Sequence, residues 1–305
     1  MTKRYPRTML ATACVPWDEN FNFDEGAFRD QVALLTGGGI RSIYLFGTAG
    51  EGYAVSREQF IEITAAFADE MGKTPGTMPM AGIISQSMSE VMERINIGLG
   101  MGVSDFQISF PSWGAVTVDE GMRYLRTICE RFPNARFMHY NNGFRSKTRL
   151  AMEHYKKLAE DVENIVAVKS TGVGLYDLQD FHSEEIPIQF FNLELAYGYA
   201  SMMSETALLI SYCNLSFKKA WEYFHAGVNR DYEAIVNIHR EIGIAEQILN
   251  KTLPGGKMDG SYDKLFVKAH LPHFSQRLHP PYEGVSDGEY EVFISEIREK
   301  LPEWR

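Results

Sequence analysis

Residues 164–174 read NIVAVKSTGVG, and the lysine in that run decides how the rest of the chain is read. Ile165, Val166, Ala167 and Val168 lead into Lys169 with no polar interruption. Such a run describes a strand buried on both faces, as in a parallel sheet covered by helices. An ammonium group has no natural use in the middle of that strand. It fits the strand's end, and the Ser170-Thr171-Gly172 turn that follows marks such an end.

Outward from this run the same pattern recurs. MLATACV (9–15), RSIYLFGTAG (41–50), TMPMAGII (77–84), SDFQISF (104–110), NARFMHYNN (134–142), PIQFFNL (187–193) and TALLISYC (206–213) are further apolar, strand-like runs. A longer amphipathic segment follows each. Phe28, Val32 and Leu35 share one face of the first, and Ser56, Glu58 and Gln59 make an acid-rich start for the second. GLYDLQDFH (174–182) is the segment expected after the lysine strand. Eight such β-α pairs predict a (β/α)8 TIM barrel rather than two doubly wound halves. The barrel is expected over residues 1–228, with residues 229–305 forming a C-terminal helical extension of the same domain. LPGGKMDG (253–260) divides that extension into two helical parts, and residues 270–290 read as a final loop.

Composition narrows the function. The 305 residues are 45% apolar and 23% charged, a globular balance, and the net charge of −10 argues against a nucleic-acid partner. Cys14, Cys129 and Cys213 are scattered, without the spacing of a zinc site or a disulfide framework. His270, His273 and His279 lie in a proline-broken segment without neighbouring carboxylates, so no metal is expected. With no secretory leader and no long apolar run, a cytoplasmic enzyme of small molecules, not associated with a membrane, is the expectation.

In such barrels the working groups stand at the C-terminal ends of the strands. Three ends carry chemistry: Gly47-Thr48-Ala49-Gly50-Glu51, His139-Tyr140-Asn141-Asn142, and Lys169-Ser170-Thr171. A lysine among valines and alanines is driven toward the neutral amine, which can attack a carbonyl to form a Schiff base. A lysine that has cleared the core and meets solvent or a carboxylate reads the same way. Tyr140 can carry a proton if it reaches the reacting atoms, or be an ordinary core tyrosine. The glycine-rich loop offers a hydroxyl and backbone amides to an anion.

Taken together, GTAGEGYAVSREQF (47–60), YNNGFRSKTRL (140–150) and VKSTG (168–172) resemble the dihydrodipicolinate synthase / N-acetylneuraminate lyase family of class I aldolases. Tyr140 and Lys169 lie 29 positions apart, near the family's spacing. The resemblance implies that Lys169 forms the Schiff base with a 2-oxo acid and that Tyr140 shuttles the proton. It also implies that Thr48 and the amides of Thr48 and Ala49 hold the carboxylate, with a backbone group near Leu209 or Ile210 completing the floor. Arg145 stands where the synthases bind a second carboxylate. No cofactor is implied, and relatives are commonly homotetramers.

The chain also departs from the pattern. Ala49 replaces the loop's second threonine, and Phe110-Pro111-Ser112-Trp113 replaces Pro-Tyr-Tyr, so the relay tyrosine is missing. Glu194, after β-run seven, can bind a hydroxyl or amino group of a substrate or simply start a helix. Trp113, Tyr53 and Phe144 can make the pocket aromatic. The expectation is a Schiff-base lyase, aldolase or dehydratase, of pyruvate or of a 2-oxo acid such as a 2-keto-3-deoxy acid. It is not expected to be a true dihydrodipicolinate synthase. The alternatives are that synthase itself, condensing pyruvate with aspartate semialdehyde, or a non-catalytic binding homologue. A barrel hydrolase has only Glu51 and Glu194 to offer.

Overall fold

Eight parallel strands close on themselves in chain order in the computed structural model of the chain. They are β1 (Met9–Thr12), β2 (Ser42–Leu45), β3 (Met78–Ile83), β4 (Asp105–Ile108), β5 (Arg136–Asn141), β6 (Ile165–Ser170), β7 (Gln189–Leu193) and β8 (Ala207–Ile210). β8 returns to pair with β1 through Leu10 and Leu209, which completes the (β/α)8 barrel. The structure describes residues 4–171, 174, 178, 180–181 and 183–304, with Ser183 described by its backbone alone. The segment expected to be helical at 174–182 lies mostly outside the described residues.

The helices around the barrel are α1 (Glu25–Gly37), α2 (Arg57–Gly72), α3 (Met88–Gly100), α4 (Val118–Arg131), α5 (Gly143–Ser146), α6 (Met152–Asp161), α7 (Glu194–Met203) and α8 (Phe217–Asn229). Local chemistry sets where they begin. Ser56 accepts a hydrogen bond from the Gln59 amide at 3.2 Å, and Gln59 accepts one from the Ser56 amide at 3.0 Å. This reciprocal pair satisfies two amides that the first turn of α2 leaves without partners. Thr117 and Glu120 repeat the arrangement at α4.

The pleat of each strand separates two cores. Ile43, Leu45, Val168, Phe190, Leu208 and Ile210 face the helices. Tyr44, Met138, Ala167, Phe191 and Leu209 face the barrel axis. This alternation follows from the period of two along a strand. Lys169 is one step beyond the helix-facing Val168, so its side chain is turned toward the axis, where it is buried.

Three helices follow the barrel: α9 (Tyr232–Thr252), α10 (Asp259–Lys268) and α11 (Asp287–Lys300). The break between α9 and α10 falls in the expected glycine-containing stretch. The final loop is shorter than expected, because α11 starts at Asp287, where Ser286 and Glu289 form another capping box. α10 is tied to the barrel by a fully buried ion pair, Lys264 Nζ to Glu51 Oε1 at 2.5 Å. Trp17 Nε1 donates to the same carboxylate oxygen at 3.0 Å, and the His279 amide donates to the other at 2.7 Å. Glu51 thus anchors the extension and is not free to act as a hydrolase's carboxylate. Among the described residues no helix is long and apolar enough to cross a membrane.

Candidate active site

Tyr140 on β5 and Lys169 on β6 are direct register partners. In a parallel pair, residues in register present their side chains to the same face, so both enter the axis at one height. The Lys169 ammonium lies 4.1 Å from the centre of the Tyr140 ring and 4.5 Å from that of Tyr44. It donates a hydrogen bond to the Tyr44 hydroxyl at 3.0 Å. The Tyr140 hydroxyl accepts one from Asn142 Nδ2 at 3.0 Å.

The charge state differs from the sequence expectation. Burial alone favours a neutral amine, as expected for a desolvated lysine. Tyr140, Tyr44 with its hydrogen bond, and Asp259 outweigh burial and hold Lys169 above its usual range. Burial likewise opposes ionisation of Tyr140, yet the lysine charge and the Asn142 hydrogen bond bring the phenol below its usual value of 10.0. Each group therefore favours the charged form of the other, and the two stand close enough to work on the same proton.

After β2 the chain turns through Phe46 (φ 58°) and Glu51 (φ 55°), both in the left-handed region. Gly50 is required between them, since a Cβ there would sit 2.8 Å from the Phe46 nitrogen and 2.9 Å from the Ala13 oxygen. The strain is held by the buried ion pair of Glu51 described above. The loop leaves Thr48 and Ala49 buried, and among the described residues their amides donate to no backbone carbonyl. Free amides at a tight turn are suited to an anion.

Two cavities meet at Tyr140. The inner one, about 330 Å3, is lined by Tyr44, Ala49, Tyr140, Lys169, Glu194 and Leu209, together with residues of α9 and α10. The outer one, about 470 Å3, is lined by Thr48, Tyr53, Phe110, Tyr140, Phe144 and Arg145 among others. The predicted residues thus divide between two chambers rather than ringing one. Ile210 faces the helix layer, leaving only its backbone for the floor. Trp113 stands 95% exposed and lines neither chamber, held through its backbone amide by Gln86 Oε1 at 2.9 Å. Arg145 is engaged with Asp259 Oδ1 at 2.7 Å.

Glu194 is buried at the start of α7 and accepts hydrogen bonds from the Ser211 and Tyr212 amides, the latter at 3.3 Å. Burial pushes its carboxyl up to about 7, with those amides opposing. Sequence reasoning missed Tyr44, Asp259 and Asp263. Tyr44 was legible in principle from its axis-facing parity in SIYL. The two aspartates were not, because a charged pair such as Asp263-Lys264 on a helix reads as a solvated face.

Fold and site together describe a (β/α)8 barrel with a lysine-tyrosine pair buried at the C-terminal mouth. Residues 6–206 match the model of the Dihydrodipicolinate synthetase family, and the chain belongs to that family. Family members are lyases, and this chain is an enzyme of the carbon-carbon or carbon-oxygen lyase class. The 4-hydroxy-tetrahydrodipicolinate synthase of Sulfurimonas denitrificans is 26% identical over 214 residues, 67% of this chain and 70% of that protein. Among solved structures, YagE of E. coli K12, a prophage protein of the same family in complex with pyruvate, superposes with a TM-score of 0.85 at 13% identity. That match spans 96% of this chain and 98% of YagE. CdNal of Clostridium difficile, in complex with mannosamine, gives 0.84 at 17% identity over 96% of this chain and 98% of its own. At these identities the structural likenesses speak for the fold.

Proposed function

We propose that the enzyme is a Schiff-base lyase acting on pyruvate or a longer 2-oxo acid. The observation that carries this reading is the buried Lys169 amine facing Tyr140 inside a cavity. When a 2-oxo acid enters, the Lys169 proton passes to Tyr140, and the free amine attacks the C2 carbonyl. A carbon-nitrogen bond forms, Tyr140 delivers that proton and then a second one taken from the nitrogen to the former carbonyl oxygen, and water leaves. The resulting iminium withdraws electrons from the adjacent carbon, whose proton or carbon-carbon bond can then break. Thr48 and the free amides of the loop would hold the substrate carboxylate. The amine itself supplies the electrophile, so neither metal nor organic cofactor is called for.

The name carried by the relative from Sulfurimonas favours condensation with aspartate semialdehyde as a second reading. Two features weigh against it: Arg145 is paired with Asp259, and no tyrosine follows Pro111. Cleavage or dehydration of a 2-keto-3-deoxy acid fits better. Borohydride reduction with pyruvate, followed by peptide mass spectrometry, tests the class. The expected result is an adduct on Lys169 that is absent in Lys169→Ala. No adduct with any of a panel of 2-oxo acids would leave a non-catalytic binding protein as the reading.

Two further parts of the proposal concern the molecule's setting. Leu195, Tyr199 and Met203 form an exposed apolar row on α7, beside Tyr232 and Val236 of α9, which supports a homo-oligomer, tetrameric as in relatives. Cys14, Cys129 and Cys213 are all free, which suits the reducing cytoplasm. Light scattering of the purified protein checks the first.

A further inference from the structure

The loop that presents Thr48 and Ala49 is gripped from the helix side by one buried arginine. Arg94 stands on α3 and is only 6% exposed. Its Nη1 donates to the Gly52 carbonyl at 3.0 Å and to the Ile84 carbonyl at 3.4 Å, and its Nη2 donates to the Val55 carbonyl at 3.3 Å. Nη2 also pairs with Glu90 Oε1 at 2.5 Å, one turn back on the same helix. Glu90 is fixed in turn by Ser85, whose hydroxyl donates to Oε2 at 2.6 Å. The guanidinium carbon lies 5.1 Å from the centre of the Phe60 ring, and Phe60 stacks on Phe46 with centres 5.0 Å apart.

A buried guanidinium sheds its water at a cost that a leucine or methionine in the same place would not carry. What it offers instead is direction, since its N–H groups leave in a fixed planar fork. Here the fork ends on the loop. Gly52 donates its own amide to the Gly47 carbonyl at 3.2 Å, and Thr48 and Ala49 follow directly. The stretch has no slack, because a Cβ on Gly52 would collide with the Phe46 carbonyl oxygen, and so would one on Gly82 of β3. Arg94 therefore reaches the loop at both ends: at Gly52 and Val55 by hydrogen bonds, and at Phe46, where the backbone turns left-handed, through Phe60. Through Ile84 it ties the same loop to the end of β3, and Ile84 and Thr48 line the outer chamber together.

We propose that Arg94 is a positioning residue for the substrate. It fixes the loop after β2 so that the Thr48 hydroxyl and the Thr48 and Ala49 amides meet the carboxylate of a 2-oxo acid beside Lys169. Arg94 itself lines neither chamber. The inference rests on the reading of that loop as the carboxylate holder. It makes Arg94 matter for carbonyl compounds that carry a carboxylate and not for the chemistry of the amine.

The experiment compares pyruvate with acetone, which keeps the methyl ketone and lacks the carboxylate. Borohydride trapping on Lys169 is followed by mass spectrometry in wild type, Arg94→Met and Arg94→Lys. In Arg94→Met the half-saturating pyruvate concentration is expected to rise by about tenfold or more, while acetone is trapped at the wild-type rate. Arg94→Lys keeps the charge and a donor, and is expected to recover part of the pyruvate effect. The pyruvate-to-acetone ratio is read within one variant, so a general loss of stability does not move it. An unchanged ratio, or equal losses for both ketones, overturns the proposal. Should Arg94→Met not fold, Glu90→Gln removes the arginine's ion-pair partner from a half-exposed position and is expected to shift the ratio in the same direction. Hydrogen exchange gives a second reading that needs no reaction. Peptides covering 46–56 are expected to exchange about tenfold faster in the variants, with those of β5 and β6 unchanged. If wild type traps neither ketone, the Schiff-base reading fails and the exchange data alone decide whether Arg94 holds the loop. Exchange unchanged in the loop, or raised equally throughout the protein, overturns it.

Discussion

The surroundings of Lys169 are set by two aromatic neighbours as much as by its burial. Tyr44 fixes the ammonium by a hydrogen bond, and Tyr140 faces it across a register pair. Tyr140→Phe removes the proton carrier while keeping the ring, and is expected to lower kcat by about 10²–10⁴-fold with pyruvate binding largely retained. Steady-state kinetics beside borohydride trapping will show this split. Tyr44→Phe leaves the lysine without its hydrogen-bond acceptor and should slow adduct formation by about tenfold or more, measured as the trapping rate against pyruvate concentration. The lysine and Tyr140 were legible in the sequence because each ends an apolar run. Trp113 was legible only as an aromatic residue after a strand, and the fold leaves its ring outside both cavities.

At the scale of elements, the loop after β2 and helix α10 act as one unit through Glu51 and Lys264. Removing one member of a buried pair strands the other charge, so Lys264→Met is expected to destabilise the protein by about 3–5 kcal/mol. Urea denaturation will register the loss, and Glu51→Gln combined with Lys264→Met should recover part of it. The Ser56→Ala cap change at α2 should cost only about 1 kcal/mol in the same assay. The sequence shows Glu51 as the last residue of a glycine-rich loop. Its partner is 213 positions away on a helix, and no local pattern joins them.

For the whole molecule, pH dependence follows from groups the core has enclosed. His139 is buried against Tyr155, and burial lowers its pKa from 6.5 to about 3. Between those values the unfolded chain binds a proton that the folded protein refuses. Its contribution to stability is present above pH 6.5 and is lost progressively toward pH 3. His139→Gln should therefore flatten the acid limb of a urea-midpoint against pH curve. Asp263 works in the other direction. Its carboxyl is raised from 3.8 to about 7, so the folded state binds more protons in that window and loses stability as pH rises through it. Asp263→Asn is expected to be more stable than the parent by on the order of 1–3 kcal/mol at pH 8, and indistinguishable from it near pH 4. The same denaturation series checks both variants.

The barrel and the placing of a lysine at the end of its sixth strand were determined by the sequence alone. Alternation of buried strands with amphipathic helices is a local, periodic signal, and a charged residue at the end of an apolar run is a local anomaly. What only the tertiary structure decided is the company that lysine keeps. Tyr44 comes from a strand 125 positions away, and Asp259 and Asp263 come from a helix beyond the barrel. Their approach depends on barrel closure and on the Glu51–Lys264 clamp. Both are long-range packing events, so the neighbours that keep the buried Lys169 charged are assembled only once the chain has folded.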